Sequence, residues 1–217
     1  MRHMLFNLSE QNSVANHFMA ELRDMRSQQD RLRFRKNVER LGQIMAYEIS
    51  KNISYAQTSV ATPLGKSVVS LMTDKPVLIT VMRAGLPYFQ GFLDFFDQSD
   101  CGFIGAYRRE GGEEVVINLE YLATPSVHNR DVILIDPMLA TGKSFVRAVD
   151  ALLQHGTPTH IYIASLVSVQ EGIDFITANL KLPHSIYTCA VDERLNDQFY
   201  IVPGLGDAGD LCFGPKL

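Results

Sequence analysis

The chain has 217 residues, 46% of them hydrophobic and 20% charged, with a formal net charge of −4. That length suits one α/β core spanning 1–217 rather than two separate cores, and the mild acidity (pI about 5.8) excludes wholesale binding to nucleic acid or a membrane surface. Cys101, Cys189 and Cys212 are odd in number and form no close-spaced pair, which argues against a disulfide framework or zinc site and makes the cytoplasm the expected compartment. No apolar run reaches membrane-spanning length, and Met4-Leu5-Phe6 is too short for a secretory h-region.

In chain order, the spacing predicts helices over 13–26 and 30–50, the second with Val38, Leu41, Ile44, Met45 and Ile49 as its inward stripe. Arg31, Arg33, Arg35, Lys36 and Arg40 on that helix read as a solvated face or subunit contact, with an anion or regulatory site as the alternative. Segment 53–73 is ambiguous and contains an extended stretch punctuated by Thr62-Pro63-Leu64-Gly65. Strand and helix then alternate: strand 77–82, helix 86–97, strands 101–107 and 131–136, helix 143–155, strand 159–167, helix 170–180 and strand 185–191. Residues 113–121 read as a strand arm projecting from the core. Residues 192–217, with four glycines and little periodicity, read as an ordered loop over the site. Such alternation argues for a mostly parallel central sheet with helices on both faces, and open α/β sheets bind ligands at the carboxyl ends of their strands. Arg83, Arg108 and Asp136 all fall just past such ends.

The most informative run is 132–144. Four apolar residues, Val132 to Ile135, suit a strand buried on both faces. They end at Asp136, followed by small residues at Ala140, Thr141 and Gly142. Then Phe145, Val146, Ala148, Val149, Leu152 and Leu153 share one helical face. Strand, acid, hydroxyl-and-glycine loop and helix together make a phosphate cradle, because N–H groups and the helix dipole favour an anion there. Thr141-Gly142-Lys143-Ser144 invites a nucleotide-triphosphate P-loop reading, but that pattern needs glycine at 137, where Pro137 lacks both the N–H and the positive φ.

Asp136-Pro137-Met138-Leu139-Ala140-Thr141-Gly142 resembles the phosphoribosyl-diphosphate (PRPP) motif of the uracil branch of the type I phosphoribosyltransferases, in which proline follows the first acid. Tyr200-Ile201-Val202-Pro203-Gly204-Leu205-Gly206-Asp207-Ala208-Gly209-Asp210 is similar to that branch's uracil-binding segment. Arg83-Ala84-Gly85-Leu86 and Ala106-Tyr107-Arg108 also match. Leu22-Arg23-Asp24-Met25-Arg26 and Ala46-Tyr47-Glu48 match more loosely.

The resemblance implies attack of uracil N1 on C1 of PRPP, giving uridine monophosphate (UMP) and pyrophosphate. It implies the 5-phosphate on the N–H groups of Ala140 to Ser144, helped by the Thr141 and Ser144 hydroxyls, with Pro137, Met138, Leu139, Gly142 and Lys143 completing the loop. Asp136 is expected on the ribose hydroxyls, and Arg83 and Arg108 on the diphosphate. Mg²⁺ is expected mainly through PRPP, with Asp207 as its nearest carboxylate, through water. Uracil is expected on the backbone of Ile201, Gly206 and Ala208, beside Asp207. Catalysis of this kind is positioning and electrostatics; accordingly no Ser-His-Asp or Cys-His constellation is visible, and the six histidines read as surface or packing residues.

Three departures stand out: Lys143 where the family usually has a second glycine, Phe199 where a glycine is usual, and an arm from Arg109 to Asn118 without the expected proline and tyrosine. A homodimer or higher homo-oligomer is expected. Some members respond to GTP, which nothing in this sequence establishes. The alternatives are a fold-related RNA-attenuation regulator, disfavoured by the acidic balance and Pro137, a weakened PRPP or UMP sensor, motivated by Lys143 and the arm, and a uridine kinase, disfavoured by the missing first glycine.

Overall fold

A computed structural model describes residues 4–109 and 116–215, with only the backbone for 106–109 and 116–120. The arm expected at 113–121 and the side chain of Arg108 therefore lie wholly or partly outside the described residues. The elements are β1 (Met4–Asn7), α1 (Ala15–Arg23), α2 (Arg31–Ser50), β2 (Tyr55–Thr62), β3 (Gly65–Met72), β4 (Val77–Met82), α3 (Gly85–Leu93) and β5 (Cys101–Arg109). They continue with β6 (Val116–Ala123), β7 (Asp131–Ile135), β8 (Met138–Leu139), α4 (Lys143–Leu152), β9 (His160–Val169), α5 (Gln170–Asn179), β10 (His184–Asp192), β11 (Arg194–Leu195), β12 (Ile201–Val202) and α6 (Ala208–Phe213).

The main sheet runs β1-β10-β9-β7-β4-β5-β6, with β8 also paired to β9. All its pairings are parallel except β5 with β6. Alternation along each central strand divides the core in two. Val77, Ile79, Val81, Val132 and Leu134 face α4 and α5, where Phe145, Val149, Leu152, Ile173 and Ile176 are buried. Leu78, Ile133 and Ile135 face the opposite side, with Leu41, Met45, Tyr88 and Phe92 of α2 and α3. A strand covered on both sides has no polar face, which is why Val132 to Ile135 is an unbroken apolar run. The helix expected at 30–50 begins where its cap directs, since the Asp30 carboxylate accepts the Arg33 N–H at 3.0 Å.

Several expectations need correction. Helix 13–26 ends at Arg23, and a separate single 3₁₀ turn forms at Ser27–Gln29. Helix 86–97 begins at Gly85 and ends at Leu93, and the helical run to 155 finishes as a 3₁₀ turn from Leu153. The ambiguous 53–73 segment is a two-stranded hairpin, β2 with β3, exposed over nearly its whole length. Met4–Asn7 is an edge strand parallel to β10. The 192–217 segment is more regular than a loop: β11 pairs with β12, and α6 follows.

Candidate active site

The loop from Asp136 to Ser144 is built on β9. After β7, the Asp136 N–H donates to the Ala164 carbonyl at 3.1 Å, and the Pro137 carbonyl accepts from Leu166 and Val167 at 2.9 and 3.1 Å. Met138 and Leu139 then pair with Val167 and Ser168 as β8, so the stem of the loop is an extra strand. The Asp136 carboxylate accepts the Met138 N–H at 3.1 Å, a turn that suits Asp just past a strand. Gly142, at φ 74°, provides the left-handed step into α4, a conformation costly for any residue with a Cβ. Lys143 is the first residue of α4, and its N–H donates to Thr141 Oγ1 at 3.4 Å.

The loop also leans on α5. A methyl group at Gly172 would lie 2.0 Å from the Ala140 carbonyl oxygen, and one at Gly142 would lie 2.6 Å from the Gly172 carbonyl oxygen. The two glycines let the loop and the start of α5 interlock at backbone distance. Gly172 was not among the residues that the sequence singled out. Nothing local marks it, because its partner lies about a helix and a strand away.

On the neighbouring strand, β4 pairs with β7 in register Thr80 with Ile135, which brings Arg83 to the same carboxyl end of the sheet as Asp136. Thr80 Oγ1 donates to the Ile135 carbonyl at 3.3 Å. The Arg83 guanidinium points at the C-terminal segment, with Nη2 3.1 Å from Asp210 Oδ1 and 3.3 Å from the Gly214 carbonyl. Its Nε is buried with no hydrogen-bond partner. Arg108 lies in β5 opposite Ile117 of β6.

The C-terminal segment covers this end of the sheet. Asp207 caps α6, its Oδ1 accepting the Asp210 N–H at 2.9 Å. Ile201, Leu205, Ala208 and Cys212 sink into the same core cluster as Ala140, while Gly206 and Asp207 are exposed. A methyl group at Gly209 would lie 3.2 Å from Asp207 Oδ1 and 3.9 Å from Arg83 Nη2, so the start of α6 abuts the end of β4. Phe199 sits at φ 61°, which accounts for the glycine usual at that position. Asp210, Arg23 and Asp192, which tie this segment down, were not singled out as site residues. Their partners lie on other elements, so no local spacing reveals them.

The remaining reactive groups are quiescent. Burial pushes the Cys189 and Cys212 thiols up to about 12, so neither is a thiolate nucleophile near neutral pH. His160 packs against Tyr162 with its ring tilted and bonds to Ser185 Oγ at 2.9 Å, and His184 is buried with Nδ1 2.8 Å from the Leu182 carbonyl. Both are packing residues, and burial lowers the His160 pKa. Among the described residues no cluster of three or more His, Cys, Asp or Glu could hold a metal by itself, and no helix is long and apolar enough to cross a membrane.

A mostly parallel sheet, an acid-and-glycine loop between its central strand and the following helix, and a small-residue cover over the carboxyl ends of the strands give the fold of the type I phosphoribosyltransferase class. The family model for Uracil phosphoribosyltransferase matches residues 9–215. A uracil phosphoribosyltransferase of Porphyromonas gingivalis is 45% identical over 214 residues, 98% of this chain and 99% of that one. One from Methanothermobacter thermautotrophicus is 37% identical over 183 residues, 83% of each chain. A solved structure of a protein from Aquifex aeolicus matches with a TM-score of 0.86 at 30% identity, covering 97% of this chain and 98% of the other. The chain belongs to the uracil phosphoribosyltransferase family.

Proposed function

We propose that this chain transfers the phosphoribosyl group of PRPP to N1 of uracil, giving UMP and pyrophosphate in pyrimidine salvage. One observation carries the reading: the loop 136–144 opens at the amino end of α4, at the same carboxyl end of the sheet that the 201–214 segment covers through Arg83. A phosphate reader and a small-residue cover thus face one end of the sheet.

In this reading the 5-phosphate sits on the N–H groups of Ala140 to Ser144 and on the Thr141 and Ser144 hydroxyls, where the dipole of α4 adds to the field. Asp136 accepts from the ribose hydroxyls; its Met138 contact fixes the carboxylate just past the strand. Arg83 exchanges Asp210 and the Gly214 carbonyl for diphosphate oxygens, and Arg108 approaches from β5. An arginine fork matches phosphate oxygens bidentately, which an ion pair with one carboxylate oxygen does not fully use. The reaction then needs no protein nucleophile: the residues hold the leaving diphosphate and align C1 with the base.

The donor set fits Mg²⁺ held mainly by substrate. That ion takes oxygen ligands and keeps several waters, and the described residues contain no dedicated metal cluster. Asp207 is exposed, and its cap uses one oxygen, so the other can meet such an ion through water. When bound, Mg²⁺ offsets charge on the diphosphate. Uracil reads against the backbone of Gly206 and Ala208 and the wall of Ile201. Cytosine would leave a buried donor facing its amino group, at a cost of about 1–3 kcal/mol. The setting proposed is a single-domain, cytoplasmic homo-oligomer.

The test is to incubate the purified chain with PRPP and Mg²⁺ and supply uracil, cytosine and hypoxanthine separately. UMP from uracil alone is expected. Nucleotide formed from hypoxanthine, or none from uracil, would overturn the proposal.

A further inference from the structure

A single ion pair grips both the N–H and the carbonyl of Gly204. Arg23, the last residue of α1, donates from Nη1 to Asp192 Oδ2 at 2.9 Å and from Nη2 to Asp192 Oδ1 at 2.8 Å, a bidentate fork. The same Nη1 also donates to the Gly204 carbonyl at 3.0 Å. Asp192 Oδ2 in turn accepts the Gly204 N–H at 2.8 Å. The Asp192 side chain is 6% exposed and that of Arg23 26%. A second hold lies one residue on, where Gln28 Nε2 donates to the Leu205 carbonyl at 2.8 Å and to the Leu22 carbonyl at 2.6 Å. Two residues from the beginning of the chain thus hold consecutive carbonyls near its end.

As a stability device the arrangement is poor value. Desolvating two charges offsets most of their attraction, and a well-packed apolar pair is often as stable. What the pair does fix is backbone orientation. Gly204 leads directly into Gly206 and Ala208, which have little or no side chain to hold their peptide groups in place. A recognition edge made of main chain needs its geometry set from outside.

We propose that Arg23 and Asp192 are positioning residues for base recognition. Through Gly204 they hold the 204–208 backbone at the spacing that meets the uracil edge, without touching either substrate. This rests on the reading of Gly206 and Ala208 as the base-binding backbone.

Two conservative variants separate positioning from mere stability. Asp192→Asn keeps shape and an acceptor for the Gly204 N–H but breaks the charged fork. Arg23→Lys keeps the charge but loses the planar donors that serve Asp192 and Gly204 together. Each is expected to raise the KM for uracil at least about tenfold, roughly 1.4 kcal/mol, while the KM for PRPP stays within about twofold. Thermal melts alongside establish that each variant is folded. In parallel, backbone amide shifts of residues 201, 202 and 204–208 in the wild-type chain, recorded on adding uracil in the presence of pyrophosphate, test the base reading itself. Responding amides together with the uracil-only KM rise support the proposal. Responding amides with an unchanged uracil KM, or with both KM values rising equally, overturn the positioning role and leave the base reading standing. Amides that do not respond overturn the base reading, and the positioning role falls with it.

Discussion

Replacing Gly172 by alanine adds one methyl group to α5, at a point where there is no room for it. That methyl would lie 2.0 Å from the Ala140 carbonyl oxygen, 2.7 Å from Leu139 Cδ2 and 3.0 Å from the Ala140 carbonyl carbon. A side chain could yield, but the first contact is with backbone, so loop and helix must separate by more than about 1 Å. Without that clash, alanine would favour the helix by up to about 1 kcal/mol over glycine. Overpacking instead costs about 1–3 kcal/mol, so the sign of the stability change already discriminates. The functional consequence is larger: displacement of about 1 Å in a positioning element costs on the order of a hundredfold in rate. Urea melts and steady-state kinetics with each substrate varied provide the assay. A destabilised but folded protein is expected, with kcat/KM for PRPP sharply reduced. A more stable variant, or PRPP kinetics within about twofold of the parent, would refute the claim that the close approach of α5 sets the loop.

Other substitutions probe the remaining parts. Asp136→Asn should keep the melting temperature, because asparagine can still accept the Met138 N–H, yet lose most turnover through weakened ribose binding; activity within a few-fold of the parent contradicts the role. Lys143→Gly should leave PRPP affinity unchanged or improved, since a cation in the first turn of α4 opposes the dipole. A loss beyond about tenfold, roughly 1.4 kcal/mol, would show that Lys143 is itself a phosphate ligand. The hydrogen bonds that Glu21 accepts from Arg33 and then Asn37 hold its pKa down to about 2, against a usual 4.5. Its contribution is therefore complete above pH about 4.5 and fades as pH falls toward 2. Acid titration of the α1–α2 contact should show this loss, and Glu21→Gln should remove the pH dependence; an unchanged acid profile in that variant would contradict the assignment.

What the sequence made legible follows from burial. Strand 77–82 matches β4, and 131–136 differs from β7 by one residue, because a strand covered on both sides must be apolar throughout. Helices 30–50 and 170–180 each carry an apolar stripe facing the sheet. The hairpin β2–β3 is exposed on both faces, so no alternation betrays it. Met4–Asn7 gains its strand conformation only by pairing with β10 at the sheet edge. α6 is six residues long and lies in a glycine-rich run, where local preference favours a turn; the Asp207 cap and burial of Ala208 and Cys212 override it. Within the site, the turn from Asp136 to Ser144 could be read because strand end, small-residue loop and helix start are contiguous in sequence. The partners that fix its surroundings, Gly172 for the loop and Arg23 with Asp192 for the cover, are contacts between elements far apart in sequence.

The central claim is that two separate parts of one end of the sheet read the two substrates: residues 136–144 the phosphates and the 201–208 backbone the base. Ala208→Val tests it most directly. Ala208 is 3% exposed and packed in the core beneath the cover, so two further methyl groups must push the 206–208 backbone out of place. The KM for uracil should rise at least about tenfold while the KM for PRPP stays within about twofold. Equal losses for both substrates, or an unchanged uracil KM, would contradict the division of the site.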